Sequence, residues 1–425
     1  MATQVQFELT EEQFGPVERP LAMAGRIKVS AFRYATGIAA LRVTNAVGEI
    51  VVLPYHGQQI WDATFHGRRL TMGSVFDAPE ASEVYTRNYG AFLVHCGVMA
   101  IGNPAPEDSH PLHGEIPNAR LQQARLSFED GPEGPVVRIW GERRERVAFL
   151  ANYSFTPEIA LGEASSRLEV TVSVRNHRAT PMDLMYLGHV NFRPVDGARI
   201  VDAVPDSPSH FRVRRHLPTY VRGAAEYRAL LDGFAADPAS HRSVVPGRLV
   251  APELVAGLDC VAGPDGWSHA LQVLPDGTAD FISHRPEQLP RAVRWMTRNG
   301  DEDALGLVLP ATAEADGKTA ESRKGNVMSL AGGAEWRCKM RFGALDKDAA
   351  EQMAREIEAA GGEEGKTWSA GRPDGRLPWC EKGDQSGGGA RFGLLTKSRA
   401  KRLRSSRIAS GYGGWRAAPA CRSPG

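Results

Sequence analysis

Side chains that could transfer protons are concentrated in short polar segments between strand-like runs. Residues 88–119 carry several histidines among Gly and Pro residues, and residues 185–192 carry one more. Imidazole and carboxylate groups can both be tuned toward neutral pH, so they are the usual general acids and bases. His189 and Asn191 are two residues apart on a predicted strand and therefore project to the same face. The first segment contributes His95, His110, His113 and Glu115.

A third polar segment covers residues 281–299 and precedes a predicted aliphatic strand. It contains Arg285, Arg291 and Arg294, which either form a solvated face or bind an anionic ligand. Glu314 is the first carboxylate after the strand. The arginine cluster makes Arg285 a candidate for binding an anionic ligand, and Glu314 is a carboxylate near the same segment.

A metal site is an alternative use of the first segment. His110, His113 and Glu115 supply nitrogen and oxygen ligands at close spacing. The spacing of these three residues matches no metal-binding motif with a defined ligand geometry. The structural alternative is a set of hydrogen-bonded histidines in a β protein. We expect no bound metal.

Several function classes are excluded by missing motifs and by charge. The sequence has no P-loop, no dinucleotide-binding glycine pattern and no nucleophile elbow. Its net charge of +1 combines two unequal parts, because residues 361–425 carry +8 and the remainder carries −7. The acidic body argues against nucleic acid as a partner.

The body alternates short apolar runs with turn residues, which predicts an all-β fold. Residues 168–174 alternate apolar and polar side chains, as a half-buried strand does. Many short strands without long helical periods favour an antiparallel sandwich or barrel. Helices are predicted at 219–234 and at 347–360, the second with Asp346 as N-cap.

The chain ends and the cysteines indicate tail disorder and cellular location. Residues 381–390 and 397–407 are rich in Gly and in basic side chains, which predicts a disordered tail. The start resembles no secretory signal, and no apolar run is long enough to span a membrane. Five scattered cysteines favour reduced thiols, so we expect a cytoplasmic protein.

Two histidine segments resemble the aldose 1-epimerases, also called galactose mutarotases. Residues 113–118 (HGEIPN) resemble the His-Gly loop of that superfamily, and residues 187–192 (LGHVNF) resemble its second histidine segment. Residues 54–60 and 67–70 look like its opening strands. The likeness covers about residues 25–345 and is closest to an uncharacterised, aldose-epimerase-like branch. It implies a large antiparallel two-sheet sandwich with a sugar cleft and a reaction without a cofactor.

The resemblance also implies roles for individual residues. His189 matches the histidine that protonates the ring oxygen, His113 matches a sugar-binding histidine, and Arg69 matches a substrate-binding arginine. The family's glutamate base lies on or after a late strand, where Glu314 is the nearest carboxylate. If that base is missing, Glu115 or Asp280 could replace it. The substrate-binding set is His113, Arg69, Glu115, Asn191 and Arg285.

These features lead to one leading hypothesis and two alternatives. The leading hypothesis is an enzyme that interconverts anomers or epimers of an aldose by acid–base ring opening, with a small carbohydrate as its partner. The alternatives are a non-catalytic sugar-binding protein on the same fold and a metal-dependent sugar isomerase or lyase. The expected organisation is an extension (1–24), the sandwich (25–345), a closing helix (346–360) and the tail (361–425).

Overall fold

A computed structural model describes residues 5–215 and 223–362 of the chain. Most of these residues lie in antiparallel strands. In chain order the strands are β1 (Val5–Glu8), β2 (Arg19–Ala24), β3 (Ile27–Arg33), β4 (Ala39–Thr44), β5 (Gly48–Leu53), β6 (Gln59–Phe65), β7 (Arg68–Arg69), β8 (Leu93–Val98), β9 (Gln123–Gly131), β10 (Gly134–Val147), β11 (Ala151–Gly162), β12 (Arg167–Asn176), β13 (Met182–Val190), β14 (Arg199–Asp202), β15 (Phe211–Val213), β16 (Val250–Leu258), β17 (Ser268–Val273), β18 (Ala279–His284), β19 (Arg291–Arg298), β20 (Asp303–Ala311), β21 (Met328–Leu330) and β22 (Glu335–Leu345).

Two sheets contain all of these described strands. The smaller sheet has nine strands in the order β1-β9-β10-β11-β12-β22-β18-β17-β14. The larger sheet runs β15-β16-β19-β20-β13-β8-β6-β5-β4-β3-β2, with β7 beside β6 and β21 beside β13. The predicted all-β fold, a large antiparallel two-sheet sandwich, is confirmed.

The main hydrophobic core lies between the sheets. In β12 the side chains of Leu168, Val170, Val172 and Val174 are fully buried, while the intervening residues are partly exposed. This alternation is the one predicted from the sequence, and it fixes the register because a one-residue slip would expose every apolar side chain.

Three helices accompany the sheets in the described part of the chain: α1 (Ala224–Ala236), α2 (Lys318–Lys324) and α3 (Lys347–Gly362). The N-cap predicted for α3 is present, because Oδ1 of Asp346 accepts a hydrogen bond from the Ala349 amide at 2.9 Å. The seven-residue α2 was not predicted, since two turns are too short to show a helical period. None of the described helices is long and apolar enough to cross a membrane.

The structure describes residues 5–24 of the predicted N-terminal extension but only residues 361 and 362 of the predicted tail. β1 pairs with β9 in the smaller sheet and β2 pairs with β3 in the larger one, so the predicted N-terminal extension contributes one strand to each sheet. Residues 361 and 362 continue α3. The rest of the predicted tail, 363–425, lies outside the described residues.

Candidate functional site

The candidate site lies on the face of the larger sheet that is turned away from the smaller sheet. In β13, Tyr186 and Val190 point into the core between the sheets. Leu187 belongs to a second apolar cluster on the opposite face. His189 has the parity of Leu187, so the strand presents it on that opposite face, where it is 3% exposed.

Asn191 fixes the tautomer of the neutral His189 ring. The Asn191 amide nitrogen donates to the carbonyl of Ala91 at 2.9 Å, which turns its Oδ1 toward the ring. Oδ1 lies 2.6 Å from Nδ1 of His189. An amide oxygen can only accept, so Nδ1 carries the proton and Nε2 of the neutral ring is a free acceptor. Sequence parity had predicted that Asn191 and His189 share a face, and the structure brings them together.

His113 reaches the same place from the long connection after β8. Its backbone has φ 61°, and the following Gly114 has φ 83°. A Cβ on Gly114 would lie 2.2 Å from the carbonyl oxygen of Ala100, so only glycine fits there. The His113 amide donates to the carbonyl of Gly102 at 3.0 Å. The His-Gly motif is therefore a tight turn that aims an imidazole at the sheet.

Aromatic rings pack around the two histidines. The ring centroids of His113 and His189 are 5.5 Å apart, with an edge-to-face angle of 82°. Trp295 lies 5.0 Å from His189, and Tyr85 lies 4.8 Å from His113. Tyr89 contacts both His189 and Trp295 at 5.9 Å. Such a cluster offers flat apolar faces beside two polar ring edges.

These rings line a cavity of about 340 Å³ that also holds carboxylates. Glu253, on β16, accepts a hydrogen bond from Nε1 of Trp295 at 2.7 Å and pairs with Arg214 at 2.7 Å. Glu302 lines the cavity as well and accepts from the Asn299 amide at 2.7 Å. Since an ionised carboxylate has about four lone-pair sites, both can still accept from a ligand.

Burial sets the protonation of the site. It lowers the pKa of His189 to about 4, although the hydrogen bond from Nδ1 to Asn191 opposes the shift. Burial lowers the pKa of His113 well below its ordinary value, and His189 and Arg214 add to the effect. Burial also raises the pKa values of Tyr85 and Tyr89. At neutral pH both imidazoles and both phenols are therefore uncharged.

The sequence-predicted base, Glu314, does not line this cavity. It follows β20, where its carboxylate pairs with Arg212 at 2.9 Å and with Lys324 at 2.8 Å. Burial raises its pKa, but the hydrogen bonds from Lys324 and Arg212 outweigh burial and leave the pKa below its ordinary value. The structure thus uses Glu314 to hold α2 against the end of β20.

The residues predicted for the site that do not line this cavity also include Arg69, Arg285, Glu115 and Asp280. Arg69 pairs with Asp62 at 2.8 Å on the surface. Arg285 lies after β18 of the smaller sheet, with its guanidinium 4.8 Å from the ring of Trp267. Oε1 of Glu115 accepts from the amides of Val98 and Met99 and from the hydroxyl of Tyr153, so it organises the His113 connection. Asp280, the other substitute base, is buried against Arg68 and Gln272.

The proposed metal ligands do not converge in the described part of the chain. His110 accepts from the Lys318 amide at 3.3 Å through Nε2 and contacts the carbonyl of Pro111 at 2.9 Å through Nδ1. Glu115 is occupied as described above. The one metal-like group among residues 5–215 and 223–362 is Glu314, Asp316 and Glu321. The ammonium of Lys324 contacts all three carboxylates there, at 2.6–2.8 Å.

The cavity residues that sequence reasoning missed include Tyr85, Tyr89, Arg214, Glu253, Trp295 and Glu302. Trp295 lies inside the third polar segment, so its segment had been identified. Glu253 is an isolated charge in an apolar strand, and such a charge is a signal for a buried polar site. Its neighbourhood depends on the pairing of β16 with β19, where Val255 lies opposite Trp295.

The arrangement can accept and return a proton beside a bound ring. Nε2 of His189 is the acceptor, while Glu253 and Glu302 offer hydrogen-bond acceptors on the cavity wall. The flat faces of Trp295 and Tyr89 can pack against C–H groups. This combination suits a small polyhydroxylated ligand.

Comparison with known proteins supports the architecture. The crystal structure of a candidate aldose 1-epimerase from Klebsiella pneumoniae superposes with a TM-score of 0.71 at 17% identity, covering 85% of this chain and 97% of that one. A galactose mutarotase-like protein from Clostridium acetobutylicum gives 0.50 at 13% identity, covering 76% and 99%. Identities this low show the fold alone. No curated protein matches the sequence.

One family model matches most of the chain. Residues 35–344 match the family described as Domain of unknown function (DUF4432), and this range includes β4 to β21, both histidine segments and Glu253. The predicted likeness to an uncharacterised branch of the aldose-epimerase-like proteins is confirmed. The chain belongs to the DUF4432 family and has the galactose mutarotase-like sandwich fold.

Proposed function

We propose that the protein interconverts the anomers of an aldose by proton transfer at the buried histidine pair. The observation that carries the proposal is the edge-to-face contact of His113 and His189 in a cavity of about 340 Å³ that also contains Glu253. The cavity is near the lower end of the range for small-molecule sites, which suits one sugar ring. The fold shared with a candidate aldose 1-epimerase supports the same activity.

In the proposed reaction His189 accepts and then returns one proton. Nε2 takes the proton of the anomeric hydroxyl O1 while the C1–O5 bond breaks and the C1–O1 bond becomes a carbonyl. The imidazolium then protonates O5, so the open-chain aldehyde leaves His189 neutral. Rotation about C1–C2 exposes the other carbonyl face, and the reverse steps close the ring. A neutral imidazole with a fixed Nδ1–H is suited to this cycle.

Glu253 and His113 are proposed to hold the sugar. Arg214 and Trp295 fix the Glu253 carboxylate, and its remaining lone pairs accept from sugar hydroxyls. Nδ1 of His113 is buried without a hydrogen-bond partner among the described residues. His113 lines the cavity, so its ring can bind a sugar hydroxyl there. Both residues would affect substrate affinity more than the proton-transfer step.

A non-catalytic sugar-binding protein is the second candidate. Glu314, the carboxylate nearest to the expected position of the family's base, does not line the cavity, and both oxygens of Glu253 already accept a hydrogen bond. A binding protein needs no group with a free proton-accepting site, so these two facts favour it. The free Nε2 of His189 favours the enzyme.

Magnetisation-exchange NMR between anomer resonances separates the candidates. We expect the protein to accelerate exchange for at least one member of a panel of hexoses, pentoses and their phosphates. Saturable binding of a sugar without faster exchange would establish the second candidate. Neither binding nor exchange across the panel would contradict both.

A further inference from the structure

The tip of the β10–β11 hairpin exposes apolar side chains to solvent. Phe149 is fully exposed, at 103% of its reference area, and Leu150 and Val147 are 58% and 43% exposed. Val147 pairs with Ala151 across the hairpin, so residues 148–150 form a three-residue loop. Burial of a large apolar side chain stabilises a fold, and the exposed Phe149 gives up that stabilisation.

The backbone at the tip is also unfavourable for its residue. Phe149 has φ 66°, in the left-handed region where three-residue hairpin loops normally carry glycine. Aromatic residues adopt this conformation rarely because Cβ crowds the backbone. The fold alone would favour glycine here. A strained, solvent-exposed phenylalanine therefore points to a use outside the fold.

Arginines surround the apolar tip without carboxylate partners among the described residues. Arg144, Arg146 and Arg178 line a shallow cavity of about 390 Å³ together with residues 147–152. Arg144 bonds the side chain of Asn152 at 2.8 Å, and Arg178 bonds the carbonyl of Leu150 at 2.8 Å. Arg143 and Glu145, which flank Arg144 in the sequence, form an ion pair with each other.

These cations repel one another. Burial lowers the pKa of Arg144, and the charge of Arg146 lowers it further, while Glu142 opposes the shift. Burial likewise lowers the pKa of His177, with Arg144, Arg175 and Arg146 adding to the shift and Glu142 opposing it. The facing groups from β10, β11 and the β12–β13 turn thus leave the tip electropositive, and an anionic partner would relieve the repulsion.

We propose that the β10–β11 tip docks on an anionic lipid surface, with Phe149 and Leu150 entering the interface and Arg144, Arg146 and Arg178 contacting headgroup phosphates. An apolar apex with guanidinium groups set behind it matches the order of layers in a membrane surface. The basic segment 363–425 is an unsuitable occupant, because its charge has the same sign. A second copy of the chain is a poor candidate. The area that residues 147–150 can bury is far smaller than the roughly 800 Å² per partner of a stable interface.

The test is co-sedimentation of the full chain with vesicles of phosphatidylcholine alone and with vesicles of phosphatidylcholine mixed with anionic phosphatidylglycerol. We expect binding to the anionic vesicles only. Phe149→Gly should weaken binding about tenfold or more, since it removes the buried apex. Arg146→Gln should weaken it about fivefold, as one headgroup contact is lost.

Controls separate the tip from folding and from the basic C-terminal segment, which also attracts anionic lipid. Phe149→Gly relieves the backbone strain, so its melting temperature should equal or exceed that of the wild type. Leu249→Ser removes another exposed apolar side chain, 66% exposed, and should leave binding unchanged. Equal binding of wild type and Phe149→Gly would overturn the proposal. So would a change of oligomeric state abolished by Phe149→Gly, which would assign the tip to contacts between copies.

Discussion

The Nδ1 atom of His189 lies 2.6 Å from Oδ1 of Asn191, whose own amide nitrogen is anchored on the carbonyl of Ala91. This chain of hydrogen bonds leaves Nε2 unprotonated toward the cavity. It modifies the role implied by the family resemblance, in which the matching histidine is a proton donor. In the proposed reaction the resting ring is an acceptor and becomes a donor only after it has taken the anomeric proton.

Replacing Asn191 with Asp tests that relationship. A carboxylate beside Nδ1 stabilises the imidazolium, so it raises the pKa of His189 from its value of about 4. A larger fraction of His189 is then protonated at Nε2 and cannot accept. We expect the acid limb of the pH–rate profile to move to higher pH by about one unit or more, since each unit reflects 1.4 kcal/mol. An unchanged acid limb would show that His189 does not control the rate.

Glu253→Gln and Glu314→Gln distinguish the cavity carboxylate from the one suggested by sequence position. Glu253→Gln keeps the shape but weakens acceptance from sugar hydroxyls, so KM should rise about tenfold or more. Glu314→Gln weakens contacts to Arg212 and Lys324 and should lower the melting temperature while exchange persists. Steady-state exchange rates and thermal melts check both. Loss of exchange in Glu314→Gln with retained exchange in Glu253→Gln would return the base to Glu314.

The fold and the two histidines could be predicted from the sequence because the patterns that indicate them are local. Alternation along β12 predicted a half-buried strand, and the His-Gly turn and the His189 strand were each readable within six residues. Their meeting at 5.5 Å depends on long-range pairing of β13 with β8. The family resemblance implied that both histidines act at one sugar site, which periodicity alone could not predict.

The remaining site residues were misplaced for the same reason. Arg285 and Arg294 are nine residues apart, yet one lies beside the smaller sheet and the other is buried against Asp202. Glu314 is close in sequence to the expected position, but it pairs with Lys324 on the unpredicted α2 and does not line the cavity. Glu253 required knowledge of the pairing of β16 with β19.

The buried pair of Arg294 and Asp202 should be essential for stability. Arg294 is fully buried and its guanidinium bonds Asp202 at 2.6 Å, while Nε and Nη1 have no partner among the described residues. Asp202→Ala removes the balancing charge, which should cost about 3–5 kcal/mol of unfolding free energy. Asp232→Ala breaks a surface pair with Arg215, in which both side chains are about 60% exposed, and should cost less than about 1 kcal/mol. Urea denaturation measures both, and equal costs would contradict the assignment.

Acid should destabilise the protein at pH values where most proteins remain stable. Burial lowers the pKa of His189 to about 4 and those of His95, His241 and His284 to about 3. In the unfolded chain these groups titrate near 6.5, so between pH 6.5 and 4 the unfolded state binds more protons. Stability therefore falls with falling pH through this window, by at most about 1.4 kcal/mol per pH unit for each histidine. His284→Leu should reduce the slope in urea titrations between pH 6.5 and 4.5, and an unchanged slope would exclude a role for His284.

The most direct test of the central claim compares anomer exchange in wild type and His189→Asn. The measurement is NMR magnetisation transfer between the two anomers of the best aldose in the panel, with His177→Asn, a partly exposed histidine hydrogen-bonded to Ser154 outside the cavity, as control. Removal of a general acid–base group typically costs 10²–10⁴-fold, so we expect at least a hundredfold loss in His189→Asn, wild-type exchange in His177→Asn and equal melting temperatures. Full exchange in a folded His189→Asn variant would contradict the account.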